Sequence, residues 1–232
     1  MTERAIFCLH GINVPIEQRD VSPIIWQALM DGSYESKEAK QVPSCLRPGD
    51  RILELGAGIG VITTLMAKVP NVQIWSFDAN PSTIELARLV AEANGISNAV
   101  FKHGLLSPGA PNVHTFYVRR DFWMSSLSEI QGPYETTLQI TSTNIDMFLT
   151  ENSINVLVMD VEGAERDILK LASLETIDRI ILELHDHLYG LAGVRDIFAA
   201  MHRHGFAYDP RGSSGPCVLF MRDDGLIRSY AG

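Results

Sequence analysis

Residues 51–63 read RILELGAGIGVIT, and the fold is decided here. An apolar run broken only by Glu54 meets glycines at 56, 58 and 60, after which the chain becomes amphipathic. Glycine tolerates positive φ and, lacking a Cβ, lets a ligand approach the backbone. The pattern predicts a strand turning sharply into a helix. Alone, it leaves three occupants open: a phosphate, a nucleoside without phosphates, or nothing.

Two carboxylates narrow the choice. Asp78 closes the next apolar run, VQIWSF (72–77), eighteen positions after Gly60. A carboxylate there can accept hydrogen bonds from both hydroxyls of a ribose lying across the turn. The competing role, capping the helix that Pro81 begins, falls more naturally to Asn80. Glu54, just ahead of the glycines, would repel a pyrophosphate and attract an ammonium or sulfonium.

Outward from the turn the order is regular. Strand 51–55 leads to helix 60–68, and strand 72–77 leads to helix 81–94, ended by Asn94-Gly95. Strand 99–103 follows. NVLVMDV (155–161) and RIILEL (179–184) are dense apolar strands, followed by helices at 163–172 and 193–204. FAYDP (206–210) and CVLFMR (217–222) flank a turn at Gly212–Gly215 with no helix between them. Continuous apolar strands alternating with amphipathic helices predict a parallel sheet covered on both faces. The expected fold is α/β, a doubly wound, mostly parallel seven-stranded sheet. It carries an N-terminal helical cap (1–45) and an antiparallel C-terminal edge hairpin. Residues 46–232 form the cofactor-binding domain, with an insert at about 105–150 holding strands at 113–118 and 136–141. In residues 1–20, Ile6, Cys8 and Ile12 suggest at most one short strand. Such sheets bind ligands outside the carboxyl ends of their strands, where strand order reverses.

Composition excludes several functions. The 232 residues carry a formal charge of −9, and the only compact basic pair, Arg119-Arg120, is followed at once by Asp121. That balance argues against a nucleic-acid partner, which needs clustered cations. Cys8, Cys45 and Cys217 have no metal or redox spacing, and reduced thiols in a cytoplasmic protein are expected. The opening MTERAIFCLHGINVPI resembles neither a signal peptide nor an anchor, and no membrane partner is expected.

ELGAGIG (54–60) followed by FDANP (77–81) resembles the first two motifs of class I S-adenosylmethionine-dependent methyltransferases. DVEGAE (160–165) matches the signature of the FkbM-type family, whose layout GSYE (32–35) and LELH (182–185) also fit. The resemblance implies a Rossmann-like fold, S-adenosylmethionine as cofactor, and O-methylation of a saccharide or natural-product precursor. Gly56, Ala57, Gly58 and Gly60 would then face the methionine part of the cofactor. Glu54 would act near its amino group, Asp78 and Ala79 at the ribose, and Asp160 toward the transferable methyl. Many relatives carry Asp or Asn soon after the third strand to meet adenine. Here the stretch is His103-Gly104-Leu105-Leu106, which leaves backbone and apolar contacts from Gly104 and Leu105.

An alcohol acceptor must lose its proton near the moment of attack, and a carboxylate or imidazole can take it. The candidates are Asp160 and His185, with Glu183 and Glu162 in support. Helix-dipole stabilisation explains Glu162 and Glu165 without any catalytic role. Asp160, Glu183 and His185 together also have the chemistry of a divalent-ion site, but mixed oxygen and nitrogen donors do not decide it, and no metal ligand is assigned. Tyr34, Glu35, Trp123, Ser125, Ser126 and Glu162 are expected on the acceptor wall, and the first twenty residues are available for a homo-oligomer interface. Methylation of nitrogen or of a peptide or protein, a nicotinamide-dependent oxidoreductase, and a non-catalytic scaffold are the alternatives.

Overall fold

In the computed structural model, which describes residue 4 and residues 6–225, the chain begins with a hairpin. Strand β1 (Phe7–Leu9) pairs antiparallel with β2 (Ile12–Val14) around His10 and Gly11, both at positive φ. Residues 1–3 and 5 of the expected cap, and 226–232 of the expected tail, lie outside the described residues. Helix α1 (Pro23–Asp31) starts where Ser22 Oγ accepts from Ile25 N and ends at left-handed Gly32. Helix α2 (Glu38–Ser44) follows. Leu9, Ile12, Val14, Ile25 and Leu29 form one apolar cluster with Ile59, Val61, Leu86 and Val90, so the hairpin and α1 are packed directly beside the glycine turn.

The next elements alternate as predicted. Strand β3 (Arg51–Leu55) leads to α3 (Val61–Met66), β4 (Gln73–Asp78) to α4 (Pro81–Ala93), and then comes β5 (Ala99–His103). The insert holds β6 (Leu106–Ser107), a hairpin of β7 (Val113–Val118) and β8 (Thr136–Thr141), and β9 (Thr143–Asn144), which pairs with β6. It ends in a helix that sequence reading left out, α5 (Ile145–Glu151). Asn144 caps it by accepting from Met147 N, and buried Ile145, Phe148 and Leu149 give it one apolar face. At two turns its periodicity is too short to stand out against the surrounding loops.

The chain then crosses back to β10 (Val156–Met159), α6 (Glu165–Leu171), β11 (Arg179–Glu183) and α7 (Asp186–Arg203). Helix α7 begins seven residues earlier than expected because its first turns precede a non-helical Gly190. Strands β12 (Phe206–Ser214) and β13 (Cys217–Arg222) close the edge as the predicted hairpin. The sheet order is β12-β13-β11-β10-β3-β4-β5, with β13 antiparallel to both its neighbours and the remaining pairs parallel. Order reverses between β3 and β10, so the carboxyl ends of these strands flank a crevice. Every residue of β10 is buried, as a central parallel strand requires. At the opposite end, Arg179 and Asp50 form a buried ion pair of 2.5 Å, and Arg179 also donates to Cys45 O.

Candidate active site

The three glycines of the turn are needed for three separate reasons. Gly56 (φ 90°) crosses the end of β10 so closely that a Cβ would lie 1.8 Å from Asp160 O. A Cβ on Gly58 would approach the Tyr34 hydroxyl at 3.0 Å, and one on Gly60 would meet Ala87 Cβ of α4 at 2.8 Å. Gly56 N and Ala57 N both donate to Phe77 O, and Gly58 N donates to Asp78 Oδ2 at 2.9 Å. Asp78 Oδ1 accepts from Asn80 N at 2.8 Å. Asp78 therefore ties β4 to the turn while lining the crevice. Burial raises its pKa to about 6, against the two backbone N–H groups that hold it down.

Glu54 lies beneath the turn, not on the cavity wall. Its carboxylate accepts from the Thr63 and Ser76 hydroxyls, and burial raises it to about 7. It borders only a void of about 30 Å³ next to the crevice, shared with Glu35, Asp160 and Glu183.

The opposite rim is built from the ends of β10 and β11. After Asp160 the chain turns tightly through Glu162 (φ 50°) and Gly163 (φ 104°). Glu165, wholly buried, accepts from Val161 N at 3.1 Å and Gly163 N at 3.0 Å. The helix-dipole account is therefore incomplete for Glu165, whose carboxylate fixes the DVEG loop. Its Oε1 also stands 3.0 Å from His185 Nδ1, an ion-pair contact without hydrogen-bond alignment. His185 Nε2 lies 3.3 Å from Asp160 Oδ1 and 3.6 Å from Glu162 Oε1. Burial opposes charge on this imidazole, but Asp160 and Glu165 outweigh it and raise the pKa to about 11. Burial also raises Glu162 and Glu183 to about 7, each moderated by His185. Glu162 is held by Gln131 Nε2 at 2.9 Å, a contact from the insert that sequence reading did not anticipate.

A cavity of about 670 Å³ joins the two rims. Gly56, Gly58, Asp78, Ala79, Gly104 and Leu105 line it on one side, and Asp160, Glu162, Glu183 and His185 on the other. Tyr34, Glu35, Trp123 and Ser125 line it as well. Tyr34 stacks on Trp123 (centroids 6.2 Å, 17°) and meets Phe122 edge-on, so cap and insert close together over Gly58. Burial pushes the Tyr34 hydroxyl and the Glu35 carboxyl well above their usual ranges. Glu35 sits at φ 49°, with Oε2 buried and without a partner. Glu54, Ala57, Gly60 and Ser126 are not on this wall. Ser126 is instead bonded into the insert, where buried Arg119 donates to its hydroxyl and to the carbonyls of Tyr117, Met124, Ser128 and Glu129. Phe116, an insert aromatic expected on this wall, lines the cavity, as do Phe122, His114 and Leu127, which sequence reading did not single out.

Reversed β13 beside β11, a glycine turn at the switch point and carboxylates on both rims define a class I methyltransferase fold. The chain belongs to the methyltransferase FkbM domain family, whose model matches residues 54–208. Among solved structures it is similar to Trm5b from Pyrococcus abyssi, at 15% identity and a TM-score of 0.50, covering 94% of this chain and 54% of that one. It thus spans about half the length of Trm5b. A Pyrococcus horikoshii protein provisionally named a transferase, PH0793, gives 11% identity and a TM-score of 0.50 over 95% of this chain and 71% of that one. Another from that organism, PH1948, provisionally named an RNA methyltransferase, gives 12% identity and 0.47 over 89% and 90%. No curated protein matches. These likenesses concern the fold and do not choose between a small molecule and a nucleic acid as acceptor. Among the described residues, no helix is long and apolar enough to cross a membrane.

Proposed function

We propose that this chain is a cytoplasmic enzyme that transfers a methyl group from S-adenosylmethionine to a hydroxyl oxygen of a small molecule, a saccharide or natural-product precursor. The observation that carries the reading is the charge of the cavity wall. Among the described residues, seven carboxylates line it against two cationic side chains, Lys37 and the protonated His185. A dinucleotide pyrophosphate would meet repulsion there, whereas a phosphate-free nucleoside bearing a sulfonium meets attraction. The missing Cβ of Gly58 and the carboxylate of Asp78 on the wall fit such a nucleoside. When bound, the cofactor supplies an activated methyl on positively charged sulfur.

The residues of the chain divide the remaining work. Asp78 and Ala79 hold the ribose, Gly104 and Leu105 flank the adenine, and the backbone at Gly56–Gly58 receives the methionine part. Glu54, beneath the turn, adds negative potential near the amino group without touching it. Asp160, Glu183 and His185 orient the acceptor hydroxyl, and a carboxylate among them takes up its proton, since His185 at a pKa of about 11 already holds its own. Tyr34, Phe122 and Trp123 exclude water from above. The net charge of −9 supports a small-molecule acceptor over a nucleic acid.

Thermal denaturation with S-adenosylhomocysteine and with NAD tests the cofactor, because a ligand selective for the native state raises Tm by mass action. A rise with the nucleoside alone is expected, and a rise with NAD alone overturns the reading. Incubation with a labelled methyl donor and a panel of hydroxylated metabolites then locates the methyl. Label on nitrogen or on protein would overturn the O-methylation assignment.

A further inference from the structure

We infer that Asp160, Glu183 and His185 form a divalent-cation site on the acceptor side of the cavity, of the class that takes Mn²⁺ or Mg²⁺. The inference rests on the proposed methyl transfer for its purpose, since the ion would hold the acceptor oxygen and lower its proton affinity. It rests on geometry for its existence. Among the described residues, one donor atom from each of these three side chains lies within 4.8 Å of the others. They come from the ends of two adjacent strands, β10 and β11, so a rigid sheet sets their spacing.

Three further observations point to a ligand. The His185 side chain is only 5% exposed, yet it lines the cavity. Behind it stands Glu165, locked by two backbone N–H groups, with Oε1 3.0 Å from Nδ1. A neutral imidazole that turns Nδ1–H toward this carboxylate presents the Nε2 lone pair to the cavity. A carboxylate behind a ligating histidine is the usual way proteins fix its tautomer and raise its basicity. Third, Glu35 of the cap borders the same small void as Asp160 and Glu183, and its buried Oε2 has no partner. A buried carboxylate oxygen left unpaired is costly unless a cation or a donor arrives.

Two carboxylates and one imidazole balance the charge of a divalent ion, and the side facing the cavity stays open for water and the acceptor. Mixed oxygen and nitrogen donors suit Mn²⁺ better than an all-oxygen shell would, and do not exclude Mg²⁺. The same juxtaposition explains why the DVEG turn is built with strain at Glu162 (φ 50°): it brings Asp160 and Glu165 to opposite edges of one imidazole.

The test is calorimetric titration of MnCl₂ into the full chain, freed of metal by a chelator and studied at about 0.15 M salt to screen diffuse attraction to its acidic surface. One saturable ion per chain is expected, with the Mn²⁺ electron paramagnetic resonance signal broadened on binding. Glu183→Gln and His185→Gln should each weaken uptake tenfold or more, and Glu165→Gln by about tenfold through His185. MgCl₂ should compete. Affinity for S-adenosylhomocysteine, measured in excess chelator, reports folding of each variant and separates two failures. Nucleoside binding without saturable Mn²⁺ uptake, or uptake unchanged in both Glu183→Gln and His185→Gln, overturns the cation site and leaves the proposed function standing. Loss of nucleoside binding by the unmodified chain overturns the proposed function itself. If His185→Gln fails to fold, Glu183→Gln and Asp160→Asn decide the matter.

Discussion

The two rims of the cavity are built on the same sheet yet differ in how their charges are satisfied. At the β3–β4 rim each carboxylate has hydrogen-bond donors: Asp78 holds Gly58 N and Asn80 N, and Glu54 holds two hydroxyls. At the β10–β11 rim Glu165 and Glu162 have donors of their own, but the polar groups crowd around one imidazole. His185 faces three carboxylates and its Nδ1 lacks an aligned partner, while above both rims Glu35 of the cap holds a buried Oε2 without one. The first rim is complete before any ligand arrives and recognises shape through fixed backbone. The second is complete only when something positive or hydrogen-bonding enters, which is what an acceptor-activating surface needs.

Gly56→Ala is the strongest way to break this comparison, because Gly56 is where the rims touch. Its Cβ would fall 1.8 Å from Asp160 O, in a backbone conformation that alanine adopts poorly. A stability loss of about 4 kcal/mol or more is expected from the urea midpoint, with nucleoside binding abolished. A loss below about 1 kcal/mol would mean that the β10 rim yields, and that the two are not rigidly abutted.

Arg119→Ala attacks the insert, which reaches the second rim through Gln131 and roofs the first through Phe122 and Trp123. Removing the buried guanidinium takes one donor group from four partly buried carbonyls of the insert that carries Phe122, Trp123 and Gln131. A cost of about 3 kcal/mol is expected, with faster chymotryptic cleavage at Phe122, Trp123, Leu127 and Tyr134, while far-UV circular dichroism still reports the intact sheet. Unchanged proteolysis would contradict the organising role given to Arg119.

Asp78→Asn sharpens the comparison from the other side. An amide offers one accepting oxygen where the carboxylate serves two N–H groups, so one bond to the turn or to Asn80 is lost. Affinity for S-adenosylhomocysteine should fall 10- to 100-fold, about 1.4–2.8 kcal/mol, while Mn²⁺ uptake stays within threefold. A parallel loss of both would show that the rims are not independent.

How much of this was legible in the sequence follows from the range of each constraint. The glycine turn and Asp78 were readable because their geometry is local, one strand end and one helix start. The sheet was readable because fully buried strands must be apolar throughout. That same property hid the direction of Glu54: in β3 residues 52–55 are all buried, so alternation carries no sign of which way the carboxylate faces. Glu165 passed for an ordinary residue of a first helical turn, because its partner His185 lies twenty positions on. Arg119 looked like half of a surface basic pair, and only the folded insert shows it bonding to residues 2 to 10 positions away. Tyr34 and Trp123 were each legible as wall residues, but their stacking on one another was not, since they come from opposite sides of the sheet's first half in sequence.

The smallest effect concerns Glu54, where the first rim keeps a carboxylate that its surroundings penalise. Its folded pKa is about 7, raised by burial above the ordinary 4.5. The folded protein therefore binds more protons than the unfolded chain between these values, and stability falls as pH rises from about 4.5 to 7. The contribution is fully present below pH 4.5 and lost above 7. Glu54→Gln removes this dependence. Taken alone, the shift would be worth up to about 3 kcal/mol at pH 8. The amide, however, accepts less well from Thr63 and Ser76 than the carboxylate does, so a net gain of about 1–2 kcal/mol is expected at pH 8, turning to a small loss at pH 4. Urea unfolding of both proteins across pH 4–8 measures the crossing. Parallel curves would mean that Glu54 keeps its ordinary pKa in the folded protein, the Thr63 and Ser76 hydroxyls offsetting its burial in full, and that it stands ionised beneath the turn across this range.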